Sequence, residues 1–310
     1  MGTPGPSAAP NLSPRGGLLR GLTWITEHLD EFAIARRMDL TSPNLKDNLV
    51  LLKPISELAL TIWLLERCGI HHELSGHLAD WIWQQTEKGK LLTRLLLARA
   101  DFLPCCSLYA SLSQLGYRAE HLDRVLSMLA TTDMAQALPL PRWGALALDY
   151  NLSLLGLSAQ PERLGNSLYT SALPEPWVVS GELGYAITHE VFYLTDFGFA
   201  PLENHDVAEY LRLWVPYWAQ VFVEEGDHDL AGEFAMVWRC IGIGSSSMSD
   251  PLGPVLSAQT EDGYVQGPEG AGTVLFRPGD DAARRVFLGR YHTTLVAMMA
   301  YALELRHSPE

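Results

Sequence analysis

The stretch from Ser180 to Gly198, SGELGYAITHEVFYLTDFG, admits one regular conformation. Read at 3.6 residues per turn, it makes a helix of about five turns. Glu182, Tyr185, His189, Tyr193 and Asp196 recur at spacings of 3, 4, 4 and 3 and share one face. Leu183, Ile187, Val191 and Leu194 take the opposite face. A solvent-facing stripe is ordinarily made of Lys, Glu, Arg and Gln. A stripe of two phenols, an imidazole and two carboxylates reads instead as the wall of a wet internal pocket. A chain centred on such a helix has to pack other helices around a hollow.

The helical period carries through most of the sequence. It predicts helices over 17–37, 47–68, 73–85, 90–100, 104–115, 120–130, 140–155, 180–197, about 206–225, 229–240 and 281–306. Asn204 or Asp206 is positioned to cap the helix that ends near Glu225, and Gly198 to close the central one. Pro54 and Pro216 fall inside helices and predict bends. Strand signal is confined to 263–276 (GYVQGPEGAGTVLF), where a small β-hairpin around Gly-Pro-Glu-Gly is expected, with Tyr264 and Gln266 as a lid. Residues 1–14 are breaker-rich and short of large apolar residues, which reads as a disordered arm; 15–310 reads as a single all-helical domain. The fold class is therefore all-α, built from helical hairpins. Hydrophobic residues make up 47% of the chain and charged residues 19%, too apolar for an open solenoid with two wet faces. A closed (α/α) toroid is expected instead, with inner helices apolar around most of their circumference.

Charge and cysteine usage exclude several classes. A net charge of −14 argues against a nucleic-acid partner, which needs a basic surface. The most apolar run, Leu49 to Leu65, is broken by Lys53 and Glu57, so no membrane span is expected. Cys68, Cys105, Cys106 and Cys240 form no CxxC pair and no disulfide framework. The N-terminal residues lack the basic-then-apolar order of a signal peptide, and a cytoplasmic location is expected.

Two segments carry a resemblance. The helix YAITHEVFYLTDFG and the run LKPISELALTIWLLER resemble an uncharacterised bacterial family whose members carry a Thr-His-x-x-Phe-x-x-Thr-Asp-Phe-Gly helix. The match would cover most of 17–306 and implies no established activity. More distantly, the helical layout is similar to toroid enzymes such as terpene cyclases, lanthipeptide cyclases and toroid glycosidases. That likeness concerns fold and does not carry function.

Among candidate residues, His189 comes first, because an imidazole near neutral pKa beside phenols and a carboxylate is a usable acid–base set. Tyr185, Tyr193 and Asp196 are its expected supports. The alternative is a core histidine satisfied by a phenol or a backbone carbonyl. Asp196 stands at a helix C-terminus, where the dipole disfavours a carboxylate; it needs either an Arg partner or a role in the pocket. Glu182, Trp177, Trp238 and His292 are the expected substrate contacts. The aromatics crowd the second half of the chain and suit an apolar or planar ligand.

Other chemistries find less support. His189, Cys240 and His292 could form a three-ligand zinc site, but the lanthipeptide-cyclase ligand pattern is missing and no metal is assigned. DxDD and DDxxD are missing, and GIGSSS does not follow a strand as a nucleophile elbow would. The Asp-Phe-Gly triplet lacks a kinase's companion motifs. Glu182, Asp196, Glu224, Asp227 and Asp229 supply carboxylates for a glycosidase-like pair. The EEGDHD run at 224–229, however, reads first as an acidic solvated turn. The expected function is a pocket-containing enzyme of secondary metabolism or peptide modification, of lyase, cyclase or hydrolase type. It takes a small-molecule or peptide substrate, needs no cofactor, and could pair with a second copy. The alternative is a non-catalytic binding or partner protein of such a pathway.

Overall fold

A computed structural model describes residues 13–34, 37–38, 46–98, 102–132, 138–157, 168–243, 250–277 and 279–307. Most of the expected arm, residues 1–12, lies outside this range, as do 161–167 and the serines of GIGSSS. The chain is all-α. Its helices are α1 (Pro14–Glu27), α2 (Lys46–Arg67), α3 (Glu73–Gln85), α4 (Lys90–Leu97), α5 (Phe102–Gln114), α6 (Glu120–Ala130) and α7 (Arg142–Leu154). Next come α8 (Tyr169–Ala172), α9 (Gly181–Leu194), α10 (His205–Glu224), α11 (His228–Cys240), α12 (Leu252–Ala258), α13 (Ala282–Leu288) and α14 (Tyr291–His307).

The caps explain several of these boundaries. Ser13 accepts a hydrogen bond from Gly16 N at the start of α1, and Asn204 accepts from the N–H groups of Asp206 and Val207 at the start of α10. Asp227 caps α11 through Leu230 N, and Asp281 caps α13 through Arg284 N. Proline at position 54 lies within α2 and proline at 216 within α10; neither ends its helix.

Six helices pack in succession: α2 on α5, α5 on α7, α7 on α9, α9 on α11, α11 on α14, and α14 back on α2. Most of the remaining helices pack on these, and α6 packs on α4. α3 lies on α2, α4 on α5, α8 on α9, α10 on α11, and α1 and α13 on α14. Burial follows the circuit. Every residue of α11 after His228 is buried, and so is nearly all of α14 from Tyr291 to Glu304. Burial on all sides is why the sequence of α14 shows little separation of apolar and polar faces. Close approach within the circuit depends on Gly184, where a Cβ would stand 2.7 Å from Leu230 Cδ2. That contact brings α9 against α11 one turn before Thr188 and His189.

Two elements depart from expectation. The helix expected over 281–306 is divided into α13 and α14 by Gly289 and Arg290. The hairpin expected at 263–276 does not form. The segment holds one isolated bridge, Gln259 to Val265, and a turn of 3-10 helix at Thr273–Leu275. Its backbone groups are spent elsewhere: Val265 N donates to Thr294 Oγ1 (2.9 Å) and Gly267 N to Gly289 O (2.9 Å). With these two donors committed to α14 and the turn before it, and others closing turns inside the segment, no ladder to a partner strand is built.

Candidate functional site

The six-helix circuit surrounds a cavity of about 1510 Å³. Each of its helices contributes to the wall: Lys53 and Glu57 from α2, Ser107 from α5, Trp143 and Tyr150 from α7, Tyr185, His189 and Tyr193 from α9, Asp229 and Glu233 from α11, and His292 from α14. Most of the remaining wall is aliphatic or aromatic. Pro268, Ala271, Gly272, Val274 and Leu275 line it from the segment expected to be a hairpin, whereas Tyr264 and Gln266 do not.

The polar groups form one connected set. Lys53 Nζ pairs with Glu57 Oε1. Glu57 Oε2 lies 3.0 Å from His292 Nδ1, and His292 Nε2 lies 3.4 Å from Asp229 Oδ2. Tyr185 OH donates to the same Asp229 oxygen at 2.7 Å. One helical turn along α11, Glu233 Oε2 accepts a hydrogen bond from Thr188 Oγ1 and lies 3.5 Å from His189 Nδ1. His189 Nδ1 also meets Tyr185 O at 2.7 Å. Only a protonated Nδ1 can donate to a carbonyl, so the neutral ring carries its lone pair on Nε2. Its ring lies 4.7 Å from that of Trp143.

Environment drives these groups apart. Burial lowers the His189 pKa to about 4, helped by the nearby charges of His292 and Lys53. Burial, with Asp229 close by, pushes Glu233 up to about 8. Burial opposes charge on His292, but Asp229 and Glu57 outweigh it and hold the imidazolium at about 9. For Glu57, burial favours the acid, yet His292 and Lys53 keep its carboxyl well below the usual range. At neutral pH the set holds a neutral His189, a protonated Glu233, an imidazolium at His292 and an ion pair at Lys53–Glu57.

Three atoms of this set have no hydrogen-bond partner among the described residues although their side chains line the cavity: His189 Nε2, Glu233 Oε1 and Tyr193 OH. Asp229 Oδ1 is buried and also unpartnered. His292, by contrast, has both nitrogens held by carboxylates.

Of the other expected residues, only Glu182 lines the cavity. Asp196 is not on the cavity wall. α9 stops at Leu194, and Asp196, Phe197 and Gly198 take positive φ values of 50°, 54° and 81°, so the chain leaves the helical face before Asp196 is reached. Arg67 grips the Asp196 carboxylate through both terminal nitrogens, Nη1 to Oδ1 at 2.6 Å, and Tyr150 OH donates to Oδ1 at 2.6 Å. Trp177 is 79% exposed on a short turn, and Trp238 is buried in α11 with its indole N–H unpartnered; neither lines the cavity. Glu182 does line it. Cys240 is buried away from it, its Sγ 3.6 Å from where a Gly198 Cβ would be. Among the described residues no group of three His, Cys, Asp or Glu is arranged to hold a metal ion.

Thr188, His189, Phe192, Thr195, Asp196, Phe197 and Gly198 each have a place in this arrangement. Thr188 binds Glu233, while His189 and Phe192 line the cavity. Thr195 Oγ1 accepts from Gly198 N and closes the helix (3.1 Å). Asp196 ties Arg67 to Tyr150 and so turns Phe197 into the core, edge-on to Trp63. A Cβ at Gly198 would stand 3.1 Å from Cys240 Cα.

The family described as Domain of unknown function (DUF6895) matches residues 18–302. The chain belongs to that family. Its matched span takes in all six helices of the circuit up to the last turn of α14. No curated protein and no solved structure matches the chain significantly. No helix among the described residues is long and apolar enough to cross a membrane.

Lys53, Glu57, Trp143 and Glu233 were not singled out by sequence as site residues, and Asp229 was offered only as one of five carboxylates for a glycosidase-like pair. Asp229, expected in an acidic solvated turn, is 4% exposed. A signal was present in both helices. Lys53 and Glu57, and Asp229 and Glu233, are charges spaced by one turn inside otherwise apolar helices.

Proposed function

We propose that this cavity is the active site of an acid–base enzyme, of lyase, cyclase or hydrolase type, acting in secondary metabolism or peptide modification. The observation that carries this reading is the pairing of His189 with Glu233. The imidazole is held neutral with its Nε2 lone pair open, and within 3.5 Å of its Nδ1 stands a carboxyl that keeps its proton. Two titratable neighbours tuned in opposite directions mark a base and an acid. His189 Nε2 takes a proton from the substrate, with Tyr185 O fixing the ring and the tautomer. Glu233 supplies a proton to the leaving or developing anionic atom, and Tyr193 OH donates a hydrogen bond to it. Asp196 acts at one remove, positioning the Tyr150 ring on the wall. The six-helix circuit is read here as the inner ring of an (α/α) toroid, which places catalysis at its centre. The largely apolar wall suits a hydrophobic small molecule or peptide segment.

The test is product formation. Purified protein incubated with small-molecule extract of its source is expected to deplete one species and generate another. His189→Gln and Glu233→Gln should each lower that rate by about 10²–10⁴-fold. For wild type, kcat/KM should plateau between limbs near 4 and 8, set by His189 and Glu233. Stoichiometric depletion without a product, equal in wild type and His189→Gln, would instead support the non-catalytic binding reading.

A further inference from the structure

The cavity wall also speaks to the charge of what it takes. Four carboxyl groups line it: Glu57, Glu182, Asp229 and Glu233. The cationic groups lining it are Lys53 and His292. Both are already matched, Lys53 by Glu57 and His292 by Glu57 and Asp229. Among the described residues, each cationic group on the wall already faces a carboxylate. The acidic side is left with surplus capacity: Glu233 is 3% exposed, lines the cavity and has an oxygen without a partner, and Asp229 Oδ1 has none either. A buried carboxyl oxygen with no partner lacks a donor.

The rest of the wall near these oxygens is aromatic. Tyr185 bonds Asp229 directly, Trp143 lies against His189, and Tyr193 and Phe192 flank the same imidazole at ring distances of 6.4 and 5.9 Å. Aromatic faces attract cations through their quadrupole, and they repel anions. Carboxyls with free oxygens inside an aromatic enclosure are the chemistry of a site for a protonated amine.

We infer that the ligand of this cavity is a cationic amine with an apolar body, its ammonium donating to Glu233 and Asp229 between Tyr185, Tyr193 and Trp143. An ammonium arriving beside Glu233 favours its carboxylate, so one proton leaves to solvent and the pair then holds a single proton, on the amine nitrogen, from which it can return to Glu233 as the acid. The groups facing Glu233 are Asp229, Thr188, His189, His292 and Lys53. Of these, Asp229 alone adds negative charge. The protein's net charge of −14 favours approach of a cation over that of an anion. This inference rests on the reading of the cavity as a ligand site but needs no catalysis. Failure of turnover and failure of amine selectivity are therefore separate results.

The experiment compares three probes sharing one ring system: tryptamine, tryptophol and indoleacetate, titrated into the full-length protein at pH 7 and followed by calorimetry or ligand-observed NMR. Tryptamine is expected to bind about tenfold or more tighter than tryptophol, the difference expected of a charge-assisted hydrogen bond, and indoleacetate weakest. Glu233→Gln should lower tryptamine affinity about tenfold and leave tryptophol unchanged. Tryptophol or indoleacetate binding as tightly as tryptamine, or no tryptamine binding at all, would overturn the inference from the wild-type protein alone.

Discussion

Two buried charge networks lie on the same helix, and they differ in what they leave open. At the C-terminal end of α11, Arg239 is 1% exposed, and its guanidinium pairs with Glu304 through Nε and with Asp250 through Nη2 while Nη1 donates to Ile243 O at 3.2 Å. Each of its nitrogens is engaged. At the N-terminal end, Asp229 and Glu233 belong to a network of similar size, yet Glu233 Oε1, His189 Nε2 and Asp229 Oδ1 have no partner among the described residues. Burial and pairing are common to both ends. The N-terminal end is distinguished by unfilled hydrogen-bonding capacity beside an open volume. A satisfied network fixes the packing of α11 against α14, whereas an unsatisfied one tolerates its unmet atoms because something else is meant to meet them.

The comparison breaks most readily at the satisfied end. Arg239→Ala should cost about 3–5 kcal/mol in equilibrium urea unfolding, because it strands the Glu304 carboxyl without its partner in a buried site. A loss below about 1 kcal/mol would mean that the knot does not hold α11 to α14. A smaller effect is expected at Asp196, which is only half-buried. Asp196→Ala removes hydrogen bonds from Arg67 and Tyr150 and should cost about 1–3 kcal/mol. It should also weaken ligand binding through the loosened Tyr150 ring while leaving the acid limb of the pH profile in place. A shift of that limb would return Asp196 to the proton-transfer machinery and erase its contrast with Glu233.

The same contrast explains what could be read from the sequence. The helices were legible because the apolar period of segments such as Glu73–Gln85 and Glu120–Ala130 is local to each of them. The stripe of Tyr185, His189 and Tyr193 was legible because its spacing is local and its composition unusual, and these three do line one cavity. Asp196 was misplaced by extrapolating helical spacing past Leu194, where three consecutive positive φ angles end the register. Glu233 and Glu57 were hidden because a carboxyl's importance here depends on which other helix it meets. Thr188 meets Glu233 across 45 positions, and His292 meets Glu57 across 235. No periodicity within one helix encodes that pairing. Trp177 and Trp238 show the same limit from the other side, since aromatic clustering along the chain says nothing about which ring faces the hollow.

The sharpest test of the open end is a dependence on pH. Glu233 holds its proton in the folded protein up to about 8, whereas the unfolded chain gives it up near the ordinary carboxylate value of 4.5. A carboxyl with a raised folded pKa contributes stability below the unfolded value, and that contribution is lost as pH rises through the folded one. His292 adds to the loss, because its folded value of about 9 exceeds its unfolded 6.5. His189 works the other way, since its folded value of about 4 lies below its unfolded 6.5, and it offsets Glu233 up to that pH; stability should therefore stay nearly level to pH 6.5 and decline from 6.5 to 9, most steeply from 6.5 to 8, where Glu233 and His292 act together. Glu233→Gln keeps the shape of the protonated acid and cannot ionise. It should be within about 1 kcal/mol of wild type at pH 5 and should become the more stable protein as pH approaches 8, leaving only the decline due to His292. Thermal melts of the two proteins across this range would show the curves crossing or diverging. Parallel curves would mean that Glu233 is ionised in the fold at neutral pH, so that the N-terminal end of α11 carries a charge as ordinary as those around Arg239.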